Sequence, residues 1–282
     1  MYYKQEFIGS NFNDLFLHIG IHDEEELLTS HLRDDENVSV ELDALHCLRF
    51  FPKAQNLILR PGCINPNDTK YLYDLPIKFL KLDYYSDTWD EYAIDLGRFR
   101  QLIYVFSRTQ YNFVNAKNAH GLNTLVVQQW ADENLLNLSA SNIVRLELLE
   151  GHLKSLLGIE DLLQLRELSV SNQRSLRDLS LLSRFPKIEN LSIEACGKID
   201  LETIPTLPGI KCLRLIGRQT IESSLFFLRF PHLERLTLGV KVLDGDISSF
   251  LKLKHCVILN DYKHYCCHNS NLPKSYLVSK TK

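Results

Sequence analysis

The chain has 282 residues, a formal net charge of -3 and 45% hydrophobic residues, which are ordinary values for a folded domain. The near-neutral charge excludes the global positive field that non-specific nucleic-acid binding uses. No apolar run approaches the ~18 residues that a membrane-spanning helix needs. The amino terminus lacks the charged-then-apolar profile of a secretory signal, and the seven cysteines show no disulfide-framework spacing. We therefore expect a cytoplasmic chain with reduced thiols that binds neither a membrane nor a nucleic acid.

Leucine is unusually frequent, with 51 copies in the 282 residues. Such a bias is typical of chains that are built from a repeated unit. The first stretch, residues 1–53, carries the repeat only in degenerate form. Its two strand-like phrases are Phe12/Leu15/Leu17 and Val38–Val40. We expect this stretch to cap one end of a repeat array, because a terminal repeat would otherwise expose leucine to water.

From residue 54 to residue 260 one phrase recurs, with the form apolar-x-x-apolar-x-apolar. It begins at ten positions that lie 20 to 23 residues apart: Ala54, Ile77, Phe99, Leu122, Ile143, Leu165, Ile188, Ile210, Leu233 and Leu253. The alternation in its second half predicts a short strand with one buried face. A second phrase places apolar residues three apart, as in Ile159/Leu162/Leu165, and predicts a helical or 3₁₀ turn that returns the chain.

The strand phrase resembles the LxxLxL core of leucine-rich repeats, and its period resembles the short, 22-residue SDS22-like subclass. The resemblance implies an α/β solenoid, with a curved parallel sheet on the concave side and short helical or 3₁₀ turns on the convex side. We interpret residues 54–260 as about ten repeats of one domain and residues 261–282 as a C-terminal cap and tail. The family's asparagine, three residues after the last core position, is missing, so other groups must satisfy the turns. Tyr85, Ser107, Trp130 and Gln173 stand at four of these positions.

No catalytic constellation stands out, since the chain has neither a glycine-rich phosphate loop nor a nucleophile elbow. The densest set of metal-type ligands is His264, Cys266, Cys267 and His268. Adjacent cysteines fit a zinc tetrahedron poorly, so we interpret this set as part of a capping tail. Cys256 follows His255 but occupies a core strand position, where we expect a buried and inert thiol. We expect no enzymatic activity, no metal and no cofactor.

Side chains between the core positions of each phrase face outward over the concave surface, and the fold leaves them open for function. Basic and acidic residues balance there, which suits a protein partner better than a phosphate backbone. Aromatic residues that follow the second to fourth phrases are typical of interface anchors. Alternatively these rings pack inward, and we favour packing for Tyr85 and Trp130. The candidate partner-binding residues are Phe79, Lys81, Asp83, Tyr84, Tyr85, Trp89, Val105, Phe106, Gln128, Trp130, Arg145, Glu147, Leu149, Glu167, Glu194, Arg214 and Arg235.

These patterns favour a non-catalytic binding module, a monomer that forms a hetero-complex with a folded protein. Within that class we favour inhibition of a partner, as bacterial immunity proteins inhibit their toxins, a group that some leucine-rich repeat proteins resemble. The alternative is a regulatory subunit or adaptor of a cytosolic enzyme such as a phosphatase, as the SDS22-like resemblance implies. An enzyme, for example a ubiquitin ligase, would need a further catalytic domain, and no stretch outside the repeats is long enough for one.

Overall fold

The computed structural model describes residues 17–19 (backbone only), 36–85, 93–136, 138, 142–185, 187–197 and 199–274. The chain forms two compact units, Met1–Gln128 and Gln129–Lys282. The sequence shows no linker between these units, and a single repeat domain stays a prediction. Among the described residues, no helix is long and apolar enough to span a bilayer.

Strands of the first unit lie side by side and run parallel. In chain order the strands are β1 (Leu17–Ile19), β2 (Asn37–Glu41), β3 (Asn56–Arg60), β4 (Phe79–Leu82), β5 (Ile94–Asp95), β6 (Tyr104–Thr109), β7 (Phe113–Val114) and β8 (Thr124–Trp130). A short helix, α1 (Thr69–Tyr73), connects β3 and β4. β5 and β7 form a separate parallel pair, and the other six strands follow one another in a single sheet. Val38–Val40 lies in β2 as predicted, whereas Phe12 and Leu15 lie outside the described residues.

The second unit repeats the arrangement more regularly. Its strands are β9 (Arg145–Gly151), β10 (Glu167–Ser171), β11 (Asn190–Glu194), β12 (Cys212–Ile216), β13 (Thr220–Ile221), β14 (Arg235–Leu238), β15 (Lys241–Val242) and β16 (His255–Ile258). β9, β10, β11, β12, β14 and β16 pair in this order, all parallel and in register. β13 and β15 form a separate two-stranded parallel pair, and in the sequence they follow β12 and β14 respectively.

Short 3₁₀ turns return the chain between most strands. They span Leu42–Phe50, Leu96–Arg98, Gln110–Asn112, Ala116–Asn118, Ile159–Asp161, Ser180–Arg184, Leu201–Thr203, Ser224–Arg229, Ser248–Lys252 and Asn269–Asn271. In the first turn of the second unit, the Leu162 N–H donates to the Ile159 carbonyl at 2.9 Å and the Leu165 N–H donates to the Leu162 carbonyl at 3.0 Å. All three side chains are at most 1% exposed, which confirms the predicted second phrase and its spacing of three.

The strand phrases of the second unit have the inside and outside faces that the sequence predicts. Leu168 and Val170 are 2% and 0% exposed, and they align with Leu191 and Ile193 of the next strand. The residue between them, Ser169, is half-exposed on the opposite face. Stacking of equivalent core residues buries the apolar edge that one repeat alone would leave in water.

One phrase of the first unit was assigned the wrong register. The spacing of the third phrase predicts Tyr104 as a core residue and Val105 as an outward one. In the structure Val105 is 0% exposed and aligns with Leu80, while Tyr104 aligns with Phe79 on the outward face. The core phrase here begins at Leu102, 25 residues after Ile77, because the chain between them also forms β5 and a 3₁₀ turn. An expectation of even spacing therefore displaced the predicted phrase by three residues, and a shift by an odd number of residues moves every side chain to the other face.

A buried polar side chain replaces the missing asparagine in one turn of the second unit. Gln173 is 0% exposed, and its Oε1 accepts a hydrogen bond from the Leu153 N–H at 3.2 Å. Its Nε2 donates to the Ser171 carbonyl at 3.3 Å. Once the β6 register is corrected, the turn position of that repeat falls on Gln110, also 0% exposed, rather than on Ser107. The buried Gln173 amide thus takes the place of asparagine in its turn.

Candidate functional site

A polar network on the outward face of the first unit joins three neighbouring strands. Arg108 lies at its centre, near the end of β6. Its Nε donates to Asp83 Oδ1 at 2.7 Å, and its Nη1 donates to Gln128 Oε1 at 2.6 Å. Lys81 Nζ lies 3.2 Å from the second oxygen of Asp83. The four side chains, Lys81, Asp83, Arg108 and Gln128, form what we call the polar network.

The charges of this network are fixed by one another. Burial by itself would raise the pKa of the Asp83 carboxyl, but the hydrogen bond from Arg108 and the charge of Lys81 outweigh it and hold that pKa below its usual value. Burial would likewise lower the pKa of Arg108, yet Asp83 more than compensates, so this pKa is raised. Both groups therefore stay ionised near neutral pH, and their side chains are held in place before any ligand arrives.

Aromatic rings surround the polar network. Tyr85 is 59% exposed, and the Arg108 guanidinium carbon lies 5.6 Å from the centre of its ring. Lys81 Nζ lies 5.7 Å from the centre of the Phe106 ring. The Phe79 and Tyr104 rings, on adjacent strands, lie 6.1 Å apart. A partner would therefore meet exposed ring surface next to immobilised charges, which is the composition of interface hot spots.

Arg108 and Tyr104 were missed in the sequence because of the register error at β6. A signal for the correct register was present in Val105, Ser107 and Thr109, which are small or β-branched residues spaced by two and are all buried. This alternation favours the burial of Val105 and leaves Arg108 on the outward face.

Two expected rim aromatics pack inward instead. Tyr84 is 8% exposed, its hydroxyl lies 3.4 Å from the Asn112 carbonyl, and Asn112 Nδ2 donates to the Tyr84 carbonyl at 2.6 Å. Trp130 is 1% exposed and donates from Nε1 to the Asn134 carbonyl at 3.0 Å. Inward packing, the favoured alternative for Trp130, is what the structure has, whereas Tyr85 is exposed. Trp89 lies outside the described residues.

The candidate charges of the second unit pair with one another. Arg145 donates from Nε to Glu147 at 2.6 Å and lies 3.7 Å from Glu167 through Nη1. Arg214 holds Glu194 with both Nε and Nη2, the latter at 3.3 Å. Basic side chains on this face are thus largely compensated before a ligand binds.

Two further candidates of the second unit make other polar contacts. Arg235 Nε lies 2.9 Å from the Cys212 sulfur. Leu149 is half-buried, and its carbonyl accepts from the Ser171 hydroxyl at 2.8 Å.

The residues considered for metal binding or thiol chemistry contact the backbone and one another. His264 Nε2 lies 2.9 Å from the Val242 carbonyl, and the Ile247 N–H donates to the Cys266 sulfur at 3.3 Å. Within the described residues, no three His, Cys, Asp or Glu side chains group closely enough to hold a metal ion. Cys256 is 0% exposed, and burial raises the pKa of its thiol to about 12, which keeps it protonated and unreactive.

No protein-family model matches the chain, and no curated protein matches it either. Among solved structures, TLR13 in its complex with the RNA ssRNA13 superposes with a TM-score of 0.52 at 17% identity, over 80% of this chain and 37% of that one. An internalin (InlF) from Listeria monocytogenes superposes with a TM-score of 0.49 at 14% identity, over 78% of this chain and 72% of that one. Mouse RP105, solved with MD-1, superposes with a TM-score of 0.49 at 17% identity, over 86% of this chain and 53% of that one.

The chain spans only about a third to a half of the TLR13 and RP105 structures. At such identities the likeness concerns the fold alone. The fold is a leucine-rich repeat solenoid with a parallel sheet and short 3₁₀ turns, as the repeated phrase predicted.

Proposed function

We propose that the chain is a non-catalytic module that binds a folded protein through the outward sheet face of its first unit. The observation that carries this proposal is the polar network with Tyr85 exposed beside it. Arg and Tyr are enriched at the centres of protein interfaces, where a few such residues supply most of the binding energy. Because Asp83 and Gln128 already hold Arg108, little side-chain entropy is lost when a partner docks.

The same network argues against catalysis at this face. A general acid or base needs a pKa near the working pH so that it can exchange a proton. Asp83 and Arg108 are shifted the opposite way, each towards its charged form. Their role is therefore to present fixed charges, and we propose that the chain uses neither a cofactor nor a metal here.

The charge pairs also favour a protein over a nucleic acid. Phosphate binding depends on basic groups that are free to replace counterions. Lys81, Arg108 and Arg145 each pair with a carboxylate of the same face. TLR13 was solved with an RNA, so RNA binding is a real alternative for this fold, and it counts as a contrary outcome below.

Within this class, we propose that binding inhibits the partner, as an immunity protein inhibits its toxin, and that the complex forms in the cytoplasm between one copy of each chain. The support is an analogy of surface composition: rigid aromatic and charged anchors are the means by which inhibitors hold enzymes. A regulatory subunit or adaptor, of the kind that SDS22-like repeats imply, would instead leave the partner active.

The test is affinity capture from native cytosol by wild-type chain, by Tyr85→Ala and by Leu228→Ala. Leu228 is the matched control, since it is 74% exposed in a 3₁₀ turn of the second unit. We expect one protein to be retained by wild type and control, and Tyr85→Ala to weaken its binding by ~2 kcal/mol or more, about thirtyfold in Kd. The activity of the purified partner is then measured with and without the chain.

Loss of partner activity on binding would support inhibition, and unchanged activity would support the adaptor alternative. If Tyr85→Ala binds like wild type while Leu228→Ala does not, the proposed face is wrong. Capture of RNA in place of a protein would contradict the proposal as a whole.

A further inference from the structure

Buried polar side chains concentrate around Arg108, the centre of the polar network. The described part of the chain has six of them: Ser39, Ser107, Thr109, Gln110, Asn112 and Gln173. Four of the six lie between residues 107 and 112, at the end of β6 and in the 3₁₀ turn that follows it. Burying a polar group costs free energy unless it is hydrogen-bonded, and departures from an apolar core are typical of functional sites. We call residues 107–112 the polar bracket.

Hydrogen bonds connect the polar bracket to the chain that follows β4. The Ser107 hydroxyl donates to the Thr109 carbonyl at 2.6 Å, and the Thr109 hydroxyl donates to Asn112 Oδ1 at 3.2 Å. Asn112 Nδ2 then donates to the Tyr84 carbonyl at 2.6 Å, and the Tyr84 hydroxyl donates to the Asn112 carbonyl at 3.4 Å. Because Asn112 is only 1% exposed, its side chain is shielded from direct contact with a partner.

The chain that follows β4 is therefore held on two sides at once. On the outward side, the Arg108 guanidinium contacts the Asp83 carboxylate at 2.7 Å and lies 5.6 Å from the centre of the Tyr85 ring. On the inward side, Tyr84 contacts Asn112. Since these residues of the first segment are consecutive, a fixed main chain at Tyr84 limits where its two neighbours can place their side chains.

We infer that Asn112 is a positioning residue of the proposed binding site. It holds the main chain at Tyr84, so that the outward side chains on either side of Tyr84 reach Arg108. This inference deepens the proposed function and rests on it for the link to binding. Binding sites need their contact residues locked by supporting hydrogen bonds, because side chains that are already in place lose less freedom when a partner docks.

The first experiment needs no partner and follows the Asp83 carboxyl of the full chain by NMR during a pH titration. Burial would raise the pKa of Asp83, but Arg108 and Lys81 outweigh burial and hold it below its usual value. If Asn112→Ala releases the main chain, the contact with Arg108 weakens and the pKa of Asp83 should rise towards its usual value. Asp83→Asn identifies the carboxyl signal.

Two control variants separate positioning from a loss of stability. Tyr84→Phe removes the hydroxyl contact but keeps the carbonyl that Asn112 Nδ2 binds, so the Asp83 titration should not change. Leu72→Ala creates a cavity in α1, where Leu72 is 0% exposed, and should lower stability without moving the titration. If circular dichroism shows that Asn112→Ala is unfolded, Thr109→Val, which removes the hydroxyl bound to Asn112 Oδ1, should move the titration in the same direction.

The second experiment measures affinity for the captured partner in a double-mutant cycle. Asn112→Ala should weaken binding at least ~fivefold in the wild-type background and less than ~twofold in the Tyr85→Ala background, because its effect passes through Tyr85. Equal losses in the two backgrounds would contradict the link to binding.

The two ideas fail separately. An unchanged Asp83 titration in folded Asn112→Ala, or an equal change in Leu72→Ala, would overturn the positioning role whatever the partner does. If instead the titration moves as expected while Tyr85→Ala binds like wild type, the proposed binding face is wrong and Asn112 still positions Asp83.

Discussion

The outward side of the sheet is covered at β2 and β3 of the first unit and more open at β10 and β11 of the second. In the second unit the middle outward residues of neighbouring strands, Ser169 and Ser192, are half-exposed. In the first unit the corresponding residues of β2 and β3, Ser39 and Ile58, are each 1% exposed, and Ser39 accepts a hydrogen bond from Arg60 at 2.7 Å. The strand phrase thus determines which way a side chain points, whereas its neighbours determine whether that side chain reaches water.

Core positions should respond alike in both units, and the largest effect is expected there. Leu168→Asp would bury a carboxylate among leucines with no partner, so the free energy of unfolding should fall by several kcal/mol, ~4 or more. Ser169→Asp, one residue away on the outward face, should cost roughly 0.5 kcal/mol or less. Urea denaturation measures both variants, and equal losses would mean that the inside and outside faces are assigned wrongly.

Outward positions should separate the two units. Ile58→Ala removes a fully buried side chain in the first unit, so we expect a loss of ~2–4 kcal/mol in unfolding free energy. Ser192→Ala, at the matching position of the second unit, should change stability by roughly 0.5 kcal/mol at most. If both variants melt like wild type, Ile58 is not an interior residue and the contrast between the units disappears.

The polar network should make a smaller, pH-dependent contribution to the free energy of unfolding. Because the folded pKa of Asp83 is depressed, its contribution is present above the unfolded pKa and is lost as pH falls through the folded value. Asp83→Asn should therefore be less stable than wild type by about 1 kcal/mol or less above ~pH 5, a figure reduced because the carboxylate is partly solvated. At pH values below the folded pKa of Asp83 the two proteins should converge. A constant difference across this range would show that Asp83 acts only through packing.

The smallest expected effect concerns the reactivity of the cysteine thiols. A thiol reagent at pH 8 should modify the exposed Cys63 rapidly and leave Cys256 untouched until the protein unfolds, because burial raises the pKa of Cys256 to about 12. Mass spectrometry of digested samples identifies the modified site. Native-state labelling of Cys256 at the rate of Cys63 would contradict its place in the core.

Much of the fold could be predicted because the spacing of apolar residues in the repeat indicates which side chains are buried. Leu168, Leu191 and Leu213 hold equivalent positions in the sequence and align across three strands in the structure. The charge pair of Arg214 and Glu194 follows from the same alignment. Arg214 is the register partner of Ser192, and Glu194 is the next residue after Ser192 on the same face of β11.

The candidate site was less predictable because it depends on contacts outside the repeat. Burial of Tyr84 comes from Asn112, which is 28 residues away in a segment without the repeated phrase. The outward position of Arg108 could not be predicted because the spacing before β6 is uneven. A search for apolar residues at a fixed period does not detect such a change. Loop insertions of this kind change the register without changing the composition.

The most direct test of the central claim is hydroxyl-radical labelling of the chain alone and bound to its captured partner. The account predicts that binding protects Tyr85, and the outward rings Tyr104 and Phe106 of β6, severalfold. Labelling at Leu225 and Leu228, which are 67% and 74% exposed in a 3₁₀ turn of the second unit, should not change. Unchanged labelling of Tyr85 together with protection of Leu225 and Leu228 would contradict it, because the partner would then sit on the turns and not on the outward face of the first unit.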